Sequence, residues 1–452
     1  MRAKRRVVLY TFCVASAASV ATAQEPDLKL VLQRLDRLEA QNQELMAEIR
    51  ALRQQLSSGS PSTEAGQTTP EPKIEERVAI HDQQIAQLDQ EKISTDHRLP
   101  LTLTGMALFN TFWTGENGGG ADNPTLARPP STPPAASGGA TFRQSVVGVK
   151  FTGPEIPGGG RITGSAYIDF FGGAGTTLNQ LLRLRVASID ANWKTTTLTF
   201  ALDKPIIAPR EPDSLAQVGV SPLTSAGNLW LWQPQARIEQ RFAIGDQAGL
   251  RAQFGVYQTS EAGNGVPTEY ASTVAKNRPG YQGRIEFWSQ PSESSRIEIA
   301  PSFHLSSTRV AGVSVPSRIF SIDWLIRPFR RVDLTGTFFH GENVGVVGGL
   351  RQGITFVWDQ PRAVGATGGW AQLKIRVTPR MTFNFYGGQE DDRNSDLPRG
   401  AIAKNQTYAG NIMYRFGSNV LASFEGSQTR TTYVNSGTLS FPHYDLGLAY
   451  LF

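Results

Sequence analysis

The stretch HYDLGLAYLF, residues 443–452, decides the fold. Tyr444, Leu446, Leu448, Tyr450 and Phe452 take every second position, with His443, Asp445, Gly447 and Ala449 between them. A period of two marks a β-strand with one apolar and one polar face. Either a protein core or lipid can cover such an apolar face, so the rest of the chain has to discriminate.

From Leu99 onward the same period dominates. Segments of about ten residues, punctuated by Gly, Pro, Asn and Asp, predict strands. They fall near 101–113, 141–153, 160–172, 181–192, 195–205, 229–243, 248–259, 279–290, 295–307, 316–328, 331–341, 369–379, 381–391, 404–416, 419–431 and 443–452. The connections alternate in length. Short ones include Trp193-Lys194, IGDQ at 244–247, PSES at 291–294, Arg330, Arg380 and Gly417-Ser418. Long ones are 114–140, 206–228, 260–278, 342–368, 392–403 and 432–442. Tight turns at one end and long loops at the other are the layout of a transmembrane barrel.

The charges agree with this. In 370–379, Ala371, Leu373, Ile375 and Val377 oppose Gln372, Lys374 and Arg376. In 181–186, Leu182, Leu184 and Val186 oppose Arg183 and Arg185, and in 235–242, Ile238 and Phe242 oppose Arg237, Glu239 and Arg241. An Arg or Lys facing mid-bilayer costs roughly 2–4 kcal/mol, so these charges must face a wet lumen. The backbone is then satisfied only in a closed sheet. The reading is an all-β transmembrane barrel of about 16 antiparallel strands over 99–452, preceded by an α-helical coiled coil.

The N-terminal part is a different polymer. MRAKRRVVLYTFCVASAASVATAQ has a basic start, an apolar run and an A-x-A site at Ala21–Ala23, which predicts a signal peptide over 1–23. It contains the only cysteine, Cys13, so the mature chain is expected to have neither disulfides nor thiolate metal sites. In 24–56, Leu28, Leu35, Asn42, Ile49 and Leu56 take heptad position a, and Val31, Leu38, Leu45 and Leu52 take d. That pattern predicts a coiled coil whose polar Asn42 fixes register and strand number. Residues 57–72 read as a flexible linker and 73–98 as a second short helical segment.

Composition narrows the function. Removing the leader takes Arg2, Lys4, Arg5 and Arg6 from the 44 basic residues, leaving 40 against 39 acidic ones. The sequence pI of about 9.3 is therefore no sign of nucleic-acid binding. There is no H-E-x-x-H, GxSxG or Walker motif, and the histidines at 81, 97, 304, 340 and 443 form no i, i+4 pair. No enzymatic activity, catalytic residue, cofactor or metal site is expected.

The last strand resembles the C-terminal signature of bacterial outer-membrane barrels, in which the terminal Phe is read by the barrel-assembly machinery. The resemblance implies that role for Tyr444, Leu446, Leu448, Tyr450 and Phe452. The segment TFRQSVVGVKFTGPEIPGGGRITGSAYIDFF, 141–171, has an opening Arg, a G-x-K-x-x-G-P turn and a following strand with outward Ile162, Ala166, Ile168 and Phe170. With the coiled coil, it resembles the trimeric DcaP-like porins of the Gram-negative outer membrane. This implies a homotrimer in outer-membrane lipid, with the coiled coil in the periplasm and a channel for passive diffusion of small hydrophilic solutes.

General porins fold their third loop into the lumen, and the resemblance implies the same for 204–228, with Arg210, Glu211 and Asp213 at the constriction. An outward loop is the other reading, and 342–368, with its apolar Ile354, Phe356 and Trp358, is a second candidate. Period two puts Arg183, Arg185, Arg237, Glu239, Arg241, Arg284, Glu286, Lys374 and Arg376 on the inner face. The predicted inner face carries more bases than acids. That favours anions unless the arginines are paired with neighbouring acids. The alternative function is structural, a coiled-coil tether from outer membrane to cell wall. An energised transporter would need a large N-terminal plug.

Overall fold

The computed structural model describes residues 100–452 apart from 121, 174–179, 260, 262–265, 351 and 358–359. The predicted leader, coiled coil (including Leu28, Leu35, Asn42, Ile49 and Leu56), linker and second helical segment lie outside the described residues. Among the described residues, one antiparallel sheet closes on itself. Its strands are β1 (Leu101–Thr114), β2 (Ser137–Thr141, resuming as Val146–Ile156), β3 (Gly160–Gly172), β4 (Leu181–Asn192), β5 (Thr196–Asp203), β6 (Gln233–Ala243), β7 (Ala248–Thr259) and β8 (Arg278–Ser292). They continue as β9 (Ser295–Val310), β10 (Val313–Phe329), β11 (Val332–Glu342), β12 (Gly365–Thr378), β13 (Met381–Asp392), β14 (Ile402–Phe416), β15 (Val420–Tyr433) and β16 (Gly437–Leu451). Counting the interrupted β2 once, the barrel has sixteen strands, as the alternation predicted.

Closure is made by β1 against β16, in register from Met106↔Leu451 to Thr114↔His443. Phe452 completes the seam. Its backbone exchanges hydrogen bonds with Gly105 at 2.8 and 3.1 Å. A Cβ on Gly105 would lie 2.8 Å from the Phe452 ring, so only glycine lets the ring lie on the first strand. Of the predicted terminal face, Tyr444, Leu446, Leu448 and Tyr450 are exposed on the outside of the barrel. Trp113 stacks on Tyr444 at 5.9 Å. The same outer surface carries Phe200, Phe254, Ile285, Phe320, Phe385, Tyr408 and Phe424. An apolar exterior of this extent around a closed sheet suits hydrocarbon, not water.

Four expectations are corrected. The long connection at 432–442 shrinks to 434–436, because β15 and β16 stay paired up to Tyr433↔Gly437. The gap at 308–315 closes to Ala311-Gly312, whose φ values of 50° and 79° make a tight hairpin. In β4 the pairings Ile168↔Leu184 and Tyr167↔Val186 leave Arg185 as an extra, bulged residue. Val186 is therefore in step with the lumen residues Ser188 and Asp190, not with outward Leu184. Residues 229–232 also precede β6 instead of belonging to it, and Leu229 and Trp230 are buried.

Candidate functional site: the lumen and its inward loop

The connection 204–232 lies inside the barrel. Its prolines, Pro205, Pro209, Pro212 and Pro222, deny it a strand ladder of its own. The lumen wall satisfies its backbone instead. Gln144 Oε1 accepts from Val218 N at 2.7 Å and Gly219 N at 2.8 Å. Gln372 Oε1 accepts from Asp213 N at 2.6 Å. Asn411 Nδ2 donates to Asp213 O at 2.8 Å, and Ser321 Oγ to Ile207 O at 2.7 Å. These partners come from β14, β12, β10 and the break in β2, so the loop crosses the lumen. At Gly227 (φ 94°) the backbone presses on the carbonyl oxygens of Gly369 and Gln389, leaving no room for a Cβ.

The connection 343–364 turns inward as well. Val344, Val346 and Val347 join Ile207, Ala208, Leu229, Ile319 and Phe339 in an apolar cluster. Leu231 N donates to Val347 O at 3.2 Å, and Gln233 Nε2 to Val346 O at 2.8 Å. Ile354 is fully buried, and Phe356 stacks on Tyr270 at 5.7 Å. The two sequence candidates for an inward segment thus pack on each other.

Two of the three loop charges, Arg210 and Asp213, pair with the wall, and Glu211 pairs within the loop. Arg210 Nε lies 3.0 Å from Asp323 Oδ1, and its Nη2 bonds Glu298 and reaches to 3.7 Å from Glu286. Asp213 meets Lys374 Nζ at 3.2 Å and Gln372 Nε2 at 2.5 Å. Glu211 takes Lys204 Nζ at 2.6 Å and the Ser221 hydroxyl. Its partly buried position disfavours the charge, but Lys204, Ser221 and Arg185 outweigh that and hold the carboxyl below the usual glutamate range.

The predicted pore residues are lumenal and paired. Arg183 grips Asp169 through Nε at 3.1 Å and Nη2 at 2.6 Å, and also donates to Gly219 O at 2.5 Å. Arg185 donates to Val218 O and lies 3.6 Å from Asp169. Both guanidinium groups stack against Trp232, at 5.0 and 4.8 Å. Arg237 meets Asp203 at 3.2 Å, and Arg241 meets Glu239 at 2.7 Å. Arg284, essentially buried, holds Asp323 at 2.8 Å and Glu286 at 2.6 Å. Arg376 meets Asp333 at 2.5 Å. Asp323, which joins Arg210 to Arg284, was not singled out in the sequence. Its signal was present in the alternation Ser321-Asp323-Leu325-Arg327.

On the short-turn side of the loop lies a cavity of about 780 Å³. Its lining has seven bases (Arg210, Arg327, Arg330, Lys374, Arg376, Arg380, Arg415) against four acids (Glu211, Asp213, Glu293, Asp333). Two of the bases, Arg327 and Arg376, share the single Asp333. The lining of this vestibule is therefore net positive, although of the inner-face bases expected from the sequence only Lys374 and Arg376 belong to it.

A closed sixteen-stranded barrel with a lipid-facing exterior, a charged interior and an inward loop is the fold of an outer-membrane porin. The solved outer membrane channel DcaP of Acinetobacter baumannii has this fold at a TM-score of 0.62, with 14% identity over 78% of this chain and 97% of that one. An anion-selective porin from Comamonas acidovorans aligns at 0.49, with 9% identity over 78% and 99% of the two chains. Outer-membrane expressed OmpT of Vibrio cholerae aligns at 0.44, with 9% identity over 80% and 100%. No protein-family model and no curated protein matches the chain.

Proposed function

We propose that the chain is an outer-membrane porin, a water-filled channel for passive diffusion of small hydrophilic solutes with a preference for anions. The observation that carries the reading is the vestibule beneath the loop, with seven bases to four acids, inside a barrel whose exterior suits lipid. Positive walls of low dielectric concentrate anions and deplete cations. The loop 204–232 is the constriction in this reading, and Arg210, Glu211 and Asp213 fix its position. The heptads of 24–56 assemble three copies on the periplasmic side, with the short turns and Phe452 facing the periplasm. Phe452 serves there as the signal for barrel assembly.

Planar-bilayer recording of the purified protein tests the function. A stepwise ohmic conductance whose reversal potential in a salt gradient reports anion preference is expected. An absence of conductance overturns the channel reading, and cation preference overturns the selectivity.

A further inference from the structure

We infer that the long-loop side of the barrel holds a binding site for an uncharged sugar, set between the β1–β2 connection and the inward loop. A cavity of about 470 Å³ lies there, across the loop from the basic vestibule. Its size falls in the range of about 300–1,000 Å³ usual for small-ligand sites. Five of its lining residues are neutral and polar: Asn123, Thr125, Thr224, Ser225 and Gln352. Two are aromatic, Phe171 and Trp230. Among the described residues, none that line it is charged, whereas the vestibule has seven bases and four acids. The ligand class follows from that lining. A carboxylate or phosphate entering it would lose water without gaining a counter-charge. A hydrocarbon would strand the amides and hydroxyls. A pyranose meets both demands, because its ring carbons present an apolar C–H surface and its rim of hydroxyls donates and accepts hydrogen bonds.

The lining is also prepared for such a ligand. Trp230 is 6% exposed and its Nε1 has no hydrogen-bond partner; neither has Asn123 Nδ2 or Oδ1. Buried donors and acceptors left unmatched cost free energy, so a hydroxyl that reaches them gains a hydrogen bond without competing with water. Gln352, in contrast, is committed to Asp392 and to the backbone of Ile402, and it shapes the wall. One side chain of β14 ties the two loops together at the cavity: Asn405 Nδ2 donates to Thr125 O at 3.0 Å and to Ser225 O at 2.9 Å. Leu223 and Ser225 lie in the left-handed region, with φ of 59° and 62°. Residues other than glycine keep that conformation only where the surroundings fix it, and such places cluster at binding sites. Asn228 Nδ2 fixes this corner through Ser221 Oγ at 2.9 Å and Pro222 O at 2.7 Å. A preformed corner spares a weak ligand the ordering cost that a mobile loop would impose. A neighbouring cavity of about 670 Å³ shares Thr125, Leu126 and Ile402 with this one, which leaves space for a second ring.

The test uses the full chain purified in deuterated detergent and saturation-transfer NMR with glucose, galactose and maltose as probes. Saturable transfer to at least one of them is expected. Glucuronate and galacturonate add one charge to the same rings and should displace the bound sugar about tenfold less well, since nothing in the lining pairs with that charge. Trp230→Phe keeps a ring and removes the N–H, and Asn123→Ala removes the amide. Each should weaken binding about three- to tenfold, the worth of one hydrogen bond. Asn123 lies outside the barrel strands, so Asn123→Ala covers the case in which Trp230→Phe does not refold. No saturable transfer to any of the three sugars, displacement by the uronates as effective as by the neutral sugars, or wild-type affinity in both variants each overturns the proposal. None of these outcomes depends on whether the barrel conducts.

Discussion

The two sides of the lumen solve the same problem in opposite ways. On the wall from β3 to β12, buried carboxylates face guanidinium groups, as at Asp169 with Arg183 or at Asp323 between Arg284 and Arg210. On the wall from β13 to β16, Glu390, Asp392, Glu425 and Asp445 are equally buried, yet among the described residues their partners are neutral donors such as Leu350 N, Gln352, Asn411 and Asn110. The inward loop is strapped to the first wall by ion pairs and to the second by amides and hydroxyls. Removing one charge should therefore have opposite effects on the two sides.

The sharpest way to break the comparison is Asp323→Asn. It leaves Arg284 and Arg210 facing each other without the shared carboxylate, and breaking a buried pair costs about 3–5 kcal/mol. A fall of that size in the urea unfolding free energy is expected, and an unchanged midpoint would refute the strapped wall. Next in size is Lys374→Glu combined with Arg376→Glu, which inverts the charge of the vestibule. The reversal potential should move toward cations at 0.1 M salt and less so at 1 M, since the Debye length falls from about 10 to about 3 Å. Arg183→Glu with Arg185→Glu tests something else. These groups hold Val218 and Gly219, so the expected signature is excess open-channel noise from a released loop.

On the other wall, Glu425→Gln should stabilise the barrel by about 0.2–1 kcal/mol, because it removes the repulsion from Asp445. A loss of stability there would erase the contrast between the walls. The smallest expected effect is a pH dependence. Glu211 is held below its ordinary value by Lys204, Ser221 and Arg185. Its contribution is complete above the unfolded glutamate value of about 4.3 and is lost as pH falls through the lower folded value. Loop noise should then be flat from neutral pH down to about 5 and rise only under stronger acid, by the same linkage. In Lys204→Met the rise should begin at higher pH.

The sequence by itself determined the barrel, because the signals involved are local. Alternation at Ala371, Leu373, Ile375 and Val377 against Lys374 and Arg376 needs no partner strand to be legible, since lipid rejects the charges wherever the strand lies. Turn residues and loop lengths gave the strand number in the same way, and they failed at 432–442 because strand pairing, not composition, carried the ladder up to Tyr433↔Gly437. Tertiary structure alone decided which charges are spent on each other. Arg210 reaches Asp323 across 113 residues, and Asn110 reaches Asp445 across 335. One bulged residue, Arg185, moves Val186 to the inner face. A count of inward arginines cannot foresee such pairings, because each depends on where a proline-rich loop with no periodicity of its own comes to rest against the closed wall.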